Sequence, residues 1–272
     1  MKDRGLPRSL AVLVTAMMNC VLLVSASSVK HPVVQAPERP VYSPTGAEGS
    51  VAGTIVVSGG IPTAKRIDMS GDSNCPKTGL TQDIKVADGK LANAFVYVRG
   101  VSLDRYSFPT PDWPVVMDQK RCQFAPRVLG IQIGQTLKIS NSDSTTHNVH
   151  PSPRLNAEWN QSQPALGDYI EKKFNRSEIM IPVKCNQHPW MRAYVGVMAH
   201  PFFSVSSRDG SYKIEGLPPG DYVVVAWHEV FGQKETTITV SPNEPVTLNI
   251  SFGEKSARNW GVLPLAPVVN VG

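Results

Sequence analysis

Two short stretches hold most of the chemistry in this sequence: Thr146-His147-Asn148-Val149-His150 and Cys185-Asn186-Gln187-His188-Pro189-Trp190-Met191. The second places a thiol, an imidazole and a thioether on one loop, with the spacing C-x-x-H-x-x-M. A loop that short can fold back until its three donors converge, and a histidine from a distant strand can close the set. Two imidazoles, one thiolate and a weak thioether define the blue-copper (type 1) geometry. The thioether argues against zinc, whose usual ligands are Cys, His, Asp and Glu. His147, Cys185, His188 and Met191 are therefore the expected ligands of one copper ion. Met191 taken alone would pass for core filler, and Cys185 for a disulfide cysteine beside an ordinary histidine. The spacing sets them apart.

The N-terminus explains why a thiol is left over for such work. Lys2, Arg4 and Arg8 precede a mostly apolar run from Leu10 to Val24, and Ser25-Ala26-Ser27-Ser28 offers small residues for cleavage. That is the pattern of a secretory signal peptide, expected over residues 1–26, which implies a secreted or periplasmic protein. A retained membrane anchor is the alternative, but the run is shorter than the roughly 20 residues that span a bilayer. Cleavage would discard Cys20 and leave Cys75, Cys122 and Cys185 in a compartment where cysteines tend to pair. Three is odd. Cys75 and Cys122 are expected to form a structural disulfide, stabilising by about 4 kcal/mol on the chain-entropy model and keeping those thiols from competing for copper.

Composition narrows the remaining classes. Hydrophobic residues at 41% and charged residues at 18% fit a globular chain and not a disordered one. The formal charge is +5, and part of it lies in the signal segment. The rest is scattered, with no basic stripe interleaved with aromatics, so nucleic acid is not an expected partner. No later segment is apolar enough to cross a membrane, so the mature chain is not expected to be an integral membrane protein. His200, His228 and Glu229 lie outside the motif and are read as structural. Paired carboxylates, a nucleophile elbow and a phosphate-cradling glycine loop are all missing, so the chain is not expected to be an enzyme.

Strands must position these donors. Residues 27–48 are rich in proline and read as an exposed linker, with an ordered strand arm as the alternative. From residue 49 onward, short β-branched runs such as NAFVYVRG, IQIGQTLKISN, EIMIPVKC and GDYVVVAWHE alternate with Gly, Pro, Asn and Asp turns. No convincing helical period competes with them. The expected class is all-β, built as sandwiches.

Two family resemblances refine this reading. Asp209-Gly210-Ser211-Tyr212-Lys213-Ile214 followed by Gly216-Leu217-Pro218-Pro219-Gly220-Asp221-Tyr222 resembles the carboxypeptidase regulatory-like β-sandwich, whose opening G-x-V-x-G strand is matched by Gly49 to Gly53. The motif C-x-x-H-P-W-M-R with an upstream H-N-V-H resembles the plastocyanin/amicyanin-type cupredoxins, Greek-key β-sandwiches, over roughly Trp113 to Ala199. The second resemblance implies that His147 and His188 are the imidazole ligands, Cys185 the thiolate and Met191 the axial thioether. It also implies that Asn148 ties the ligand loops together from the second shell, that Trp190 lies beside the site, and that His150 is not a ligand. In that family electrons leave through the solvent edge of the imidazole matched by His188. The extra sandwich could bury that edge here.

The expected organisation is a signal peptide (1–26), a linker (27–48), the first part of the regulatory-like sandwich (49–111), a cupredoxin-like domain (112–199), the rest of the regulatory-like sandwich (200–255) and a tail (256–272). Simple tandem modules remain the alternative to insertion. The expected function is one-electron transfer to a redox partner protein. Copper storage or delivery, carbohydrate or protein binding by the regulatory-like sandwich, or an inert vestigial site are the alternatives.

Overall fold

The computed structural model describes residues 39–253. The expected signal peptide, the linker up to residue 38 and residues 254–272 lie outside the described residues. The end of the linker span lies against the fold: Tyr42 N–H donates to the Ser107 carbonyl at 2.8 Å, and the Tyr42 ring packs on Tyr106 and Phe108.

The described residues form an all-β protein of two sandwiches. In the first, strand Gly49–Ser58 pairs with Ser211–Leu217, Pro245–Thr247, Ile250–Gly253 and Lys90–Leu91. Facing it is a sheet in the order Phe203–Val205, Phe95–Arg99, Gly220–His228, Gly232–Val240. Val51, Ile55, Val96, Val98, Val224, Ala226 and Phe252 fill the space between the sheets. The second sandwich consists of strands from Val115 to Met198, which among the described residues pair only with one another. One sheet runs Ile170–Lys172, Leu137–Asn141, Val115–Gln119, Phe124–Ala125; the other runs Gln161–Gln163, His147–Pro151, Glu178–Lys184, Arg192–Met198, Val128–Gln132. Among the described residues the first sandwich thus has no strand between Arg99 and Phe203, although Leu103, Phe108 and Phe202 still pack into its core.

Local sequence explains the joins. Asp209 accepts the Ser211 N–H at 3.0 Å, and Gly210 takes a φ of +75° where a Cβ would lie 2.5 Å from the Ile55 carbonyl oxygen. Only glycine fits that turn. The Tyr222 hydroxyl donates to the Pro218 carbonyl at 2.8 Å and closes the Pro-Pro-Gly turn.

Strands Phe95–Arg99 and Gly220–His228 are buried on both faces, which is why they read as continuous apolar runs. Their second face, with Phe95, Tyr97, Val225 and Trp227, packs on Val128, Met180 and Met198 of the second sandwich. Gly130 and Gly196 stand opposite each other in adjacent strands at this junction. A Cβ on either would run into the Phe95 ring. Arg127 of the second sandwich forms an ion pair with Glu229 of the first, with both side chains nearly buried. His228 is buried, its Nδ1 accepts the Val230 N–H, and burial pushes its pKa down to about 3, so the ring is neutral.

Gly196→Ala should cost about 1–3 kcal/mol by overpacking this junction, read as a lower denaturant midpoint. An unchanged midpoint would show that the close approach of Phe95 is not a constraint.

Candidate metal centre

The ligand loop is the connection of a hairpin. Strand Glu178–Lys184 runs into Cys185, and the chain returns as Arg192–Met198. Cys185 N–H donates to the Met191 carbonyl at 3.3 Å and Met191 N–H to the His188 carbonyl at 2.9 Å, so Cys185, His188 and Met191 are folded onto one another. The neighbouring strand begins at His147, and its pairing of His150 with Lys184 brings His147 level with the loop.

Three donors converge. The Nδ1 atoms of His147 and His188 are 2.9 Å apart, and Cys185 Sγ is 3.6 Å from His188 Nδ1. All three donor atoms fall within 4.8 Å of one another, and all three residues are buried. The two shorter separations are each below the sum of two ordinary metal–ligand lengths, about 2.1 Å to nitrogen and about 2.3 Å to sulfur. Met191 is fully buried in the hydrophobic cluster that also contains Cys185 and Val149.

What orients the imidazoles lies behind them. His147 Nε2 is 2.9 Å from Asp143 Oδ2, and His188 Nε2 is 3.1 Å from Asp72 Oδ2. The Asp143 carboxylate also accepts the backbone N–H groups of Arg121 at 2.5 Å and Cys122 at 2.7 Å, so it acts as an acceptor. Hydrogen bonds from the Thr145 hydroxyl and the Asn74 N–H, with a lesser contribution from His188, hold the Asp72 carboxyl down to about 2. Both carboxylates therefore take a proton's hydrogen bond from Nε2, and both Nδ1 lone pairs point inward. Burial lowers the pKa of His147 below that of a free imidazole in spite of Asp143. Two ring nitrogens and a sulfur then face one spot, where a metal cation would be held by all three.

Asn148 joins the two ligand segments. Its Oδ1 accepts the Asn186 N–H at 2.6 Å and lies 3.3 Å from Cys185 Sγ, while its own N–H lies 3.5 Å from the sulfur. Trp190 packs on the His188 ring at 5.2 Å between centroids and donates its indole N–H to the Cys122 carbonyl. His150 points elsewhere, toward Asn186 and Glu158. His200 and His228 are not among the grouped donors.

Cys75 and Cys122 form the disulfide, with a Cα–Cα distance of 5.7 Å. It lies against the site. Arg121 and Cys122 have φ values of +56° and +54°, a tight turn that non-glycine residues adopt at a cost and that Asp143 holds through both amides. Sequence reasoning did not single out Asp72 or Asp143. Asp143, four residues before His147, had a local signal; Asp72 had only its position three residues before Cys75.

The His188 edge is covered. His188 is 4% exposed, and the residue facing its Nε2 is Asp72, in the segment that the disulfide fastens to Cys122.

Comparison with known proteins gives a family match for part of the chain. Residues 193–253 match the carboxypeptidase regulatory-like domain. No curated protein matches. Among solved structures, an amicyanin variant in the Cu(I) state is 22% identical over 33% of this chain and 86% of its own, with a TM-score of 0.29. A purple cupredoxin from Nitrosopumilus maritimus is 23% identical over 32% of this chain and 100% of its own, with a TM-score of 0.27. A copper-containing nitrite reductase from Thermus scotoductus SA-01 is 20% identical over 32% of this chain, with a TM-score of 0.30. This chain spans 22% of that reductase. No helix among the described residues is long and apolar enough to cross a membrane.

Asp143→Ala should destabilise the protein by about 2 kcal/mol or more, because it strands two backbone amides and one imidazole N–H. Chemical denaturation measures this, and a wild-type midpoint would show that the Arg121–Cys122 turn holds itself.

Proposed function

We propose that this is an exported type 1 copper protein that holds one copper ion through His147, Cys185, His188 and Met191. In this reading it passes single electrons to and from a redox partner protein and turns over no substrate. The observation that carries the reading is the pair of inward-facing Nδ1 atoms, 2.9 Å apart and backed by carboxylates, beside a buried thiol. Copper bound there supplies a one-electron couple between Cu(I) and Cu(II), with soft thiolate and thioether ligands on one side and imidazoles on the other.

The chain's own residues do the rest. Asp143 and Asp72 fix both ring orientations before any metal arrives, so little has to move when charge changes. The Asn148 N–H donates toward the sulfur and holds it in place between the two ligand segments. Met191, Val149 and Ile181 contribute apolar surface that keeps water from the centre. We read the second sandwich as a copper module set into the regulatory-like one, the two held by the Phe95–Trp227 face and the Arg127–Glu229 pair.

A second reading, copper storage or delivery, draws on the covered His188 edge. Asp72 stands where an electron-transfer partner would otherwise touch the ring.

Loading with Cu(II) should give an intense blue thiolate-to-metal charge-transfer band that Cys185→Ala abolishes. Retention of that band by the variant refutes the ligand set. Colourless binding of Cu(I) alone supports storage, and no uptake of either ion contradicts both readings.

A further inference from the structure

One group of donors meets the copper site as proposed only at His188, and its two sulfurs take no part in that site. The sulfurs of Cys75 and Cys122 and a ring nitrogen of His188 lie within 4.8 Å of one another, and all three residues are buried. Cys122 Sγ also lies within 4.8 Å of a ring nitrogen of His147 and a carboxylate oxygen of Asp143. Joined to each other, the two sulfurs offer no thiolate to a metal. Separated, they are a soft pair beside an imidazole, a donor set suited to Cu(I).

We propose that the Cys75–Cys122 disulfide masks a second metal position, selective for Cu(I), which a dithiol reductant unmasks. The proposal goes beyond the carrier reading; it rests on it for the identity of the metal and borders it at His188, while none of its thiols is Cys185. In the unmasking step a reductant thiolate attacks one sulfur of the bridge, the Cys75–Cys122 bond breaks and a mixed disulfide forms. The second reductant thiol displaces it. Two electrons and two protons end on Cys75 and Cys122, and the reductant leaves as its own disulfide. Binding Cu(I) then releases the thiol protons.

The surroundings suit such a change. Cys75 is 7% exposed and Cys122 fully buried, so a nucleophile reaches the bridge from the Cys75 side. Cys122 is fixed on its turn by Asp143 through the amide and by the Trp190 indole through the carbonyl. The other arm is held more lightly: between Arg66 and Leu80 only Met69 and Cys75 are buried. One sulfur is anchored, and the other rides on a segment that can give as the sulfurs part to span an ion.

The test uses the exported protein carrying Cys185→Ala, in competition with a chromophoric Cu(I) chelator without oxygen. Binding is compared before and after treatment with a dithiol that is then removed. Reduction should let the variant withdraw one further equivalent of Cu(I) from the chelator, and adding Cys75→Ser with Cys122→Ser should remove that gain. The proposal is overturned by equal Cu(I) binding in the oxidised and reduced forms, or by a gain that survives the serine substitutions. It is also overturned if the gain appears only once near-ultraviolet circular dichroism shows that the sandwich has unfolded. If Cys185→Ala does not fold, the same comparison on wild type decides, with one extra equivalent on reduction expected and equal stoichiometry contradicting it. An oxidised wild type that takes up no copper sinks the carrier reading and leaves this comparison intact.

Discussion

Two carboxylates turned toward two imidazoles are the constraint from which the rest of this site follows. An imidazole has one proton to place when neutral, and whichever nitrogen meets a carboxylate keeps it. Asp143 faces Nε2 of His147 and Asp72 that of His188, which turns the two Nδ1 atoms toward each other, with the Cys185 sulfur 3.6 Å from that of His188. With the carboxylates on the outer nitrogens, both inner nitrogens are turned to the place where a metal cation would be held.

The fold spends much of its local structure on holding those carboxylates. Asp143 is kept by the same two amides that it holds in a left-handed turn, and that turn presents Cys122 to the disulfide. Asp72 comes from a different part of the chain, on the short hairpin Arg66–Asp68 and Thr78–Leu80, and Cys75 fastens that segment beside the site. The disulfide therefore does more than limit the unfolded chain. It brings a carboxylate from the first half of the sequence to an imidazole 116 positions later. The two-faced sheet of the first sandwich packs through Phe95, Tyr97 and Trp227 on Met180 and Met198, which lie in the two strands that the Cys185–Met191 loop joins.

The all-β class was legible because alternation along runs such as Ile131, Ile133, Leu137 and Ile139 leaves no room for a helical period. The disulfide was legible from counting: if Cys20 is set aside with the expected signal peptide, three cysteines remain and have one pair to make. The loop from Cys185 to Met191 could be picked out because its donors are close in sequence, and contact there needs only a hairpin. Asp72 could not. Its role depends on a long-range disulfide and on the arm's path across the sandwich, and neither leaves a pattern in neighbouring residues. Cover over His188 was expected from the extra sandwich, and the residue facing the ring, Asp72, lies within the 49–111 span, more than seventy positions before His147. The left-handed turn at Arg121 and Cys122 was equally hidden, because neither residue type advertises a positive φ.

X-ray absorption at the copper edge of the loaded, disulfide-intact protein tests the central claim most directly. Two imidazole nitrogens at about 2.0 Å and one sulfur near 2.2–2.3 Å around a single copper are the expected shell. A shell of nitrogen and oxygen alone, or one in which only a single imidazole scatters, would contradict the account.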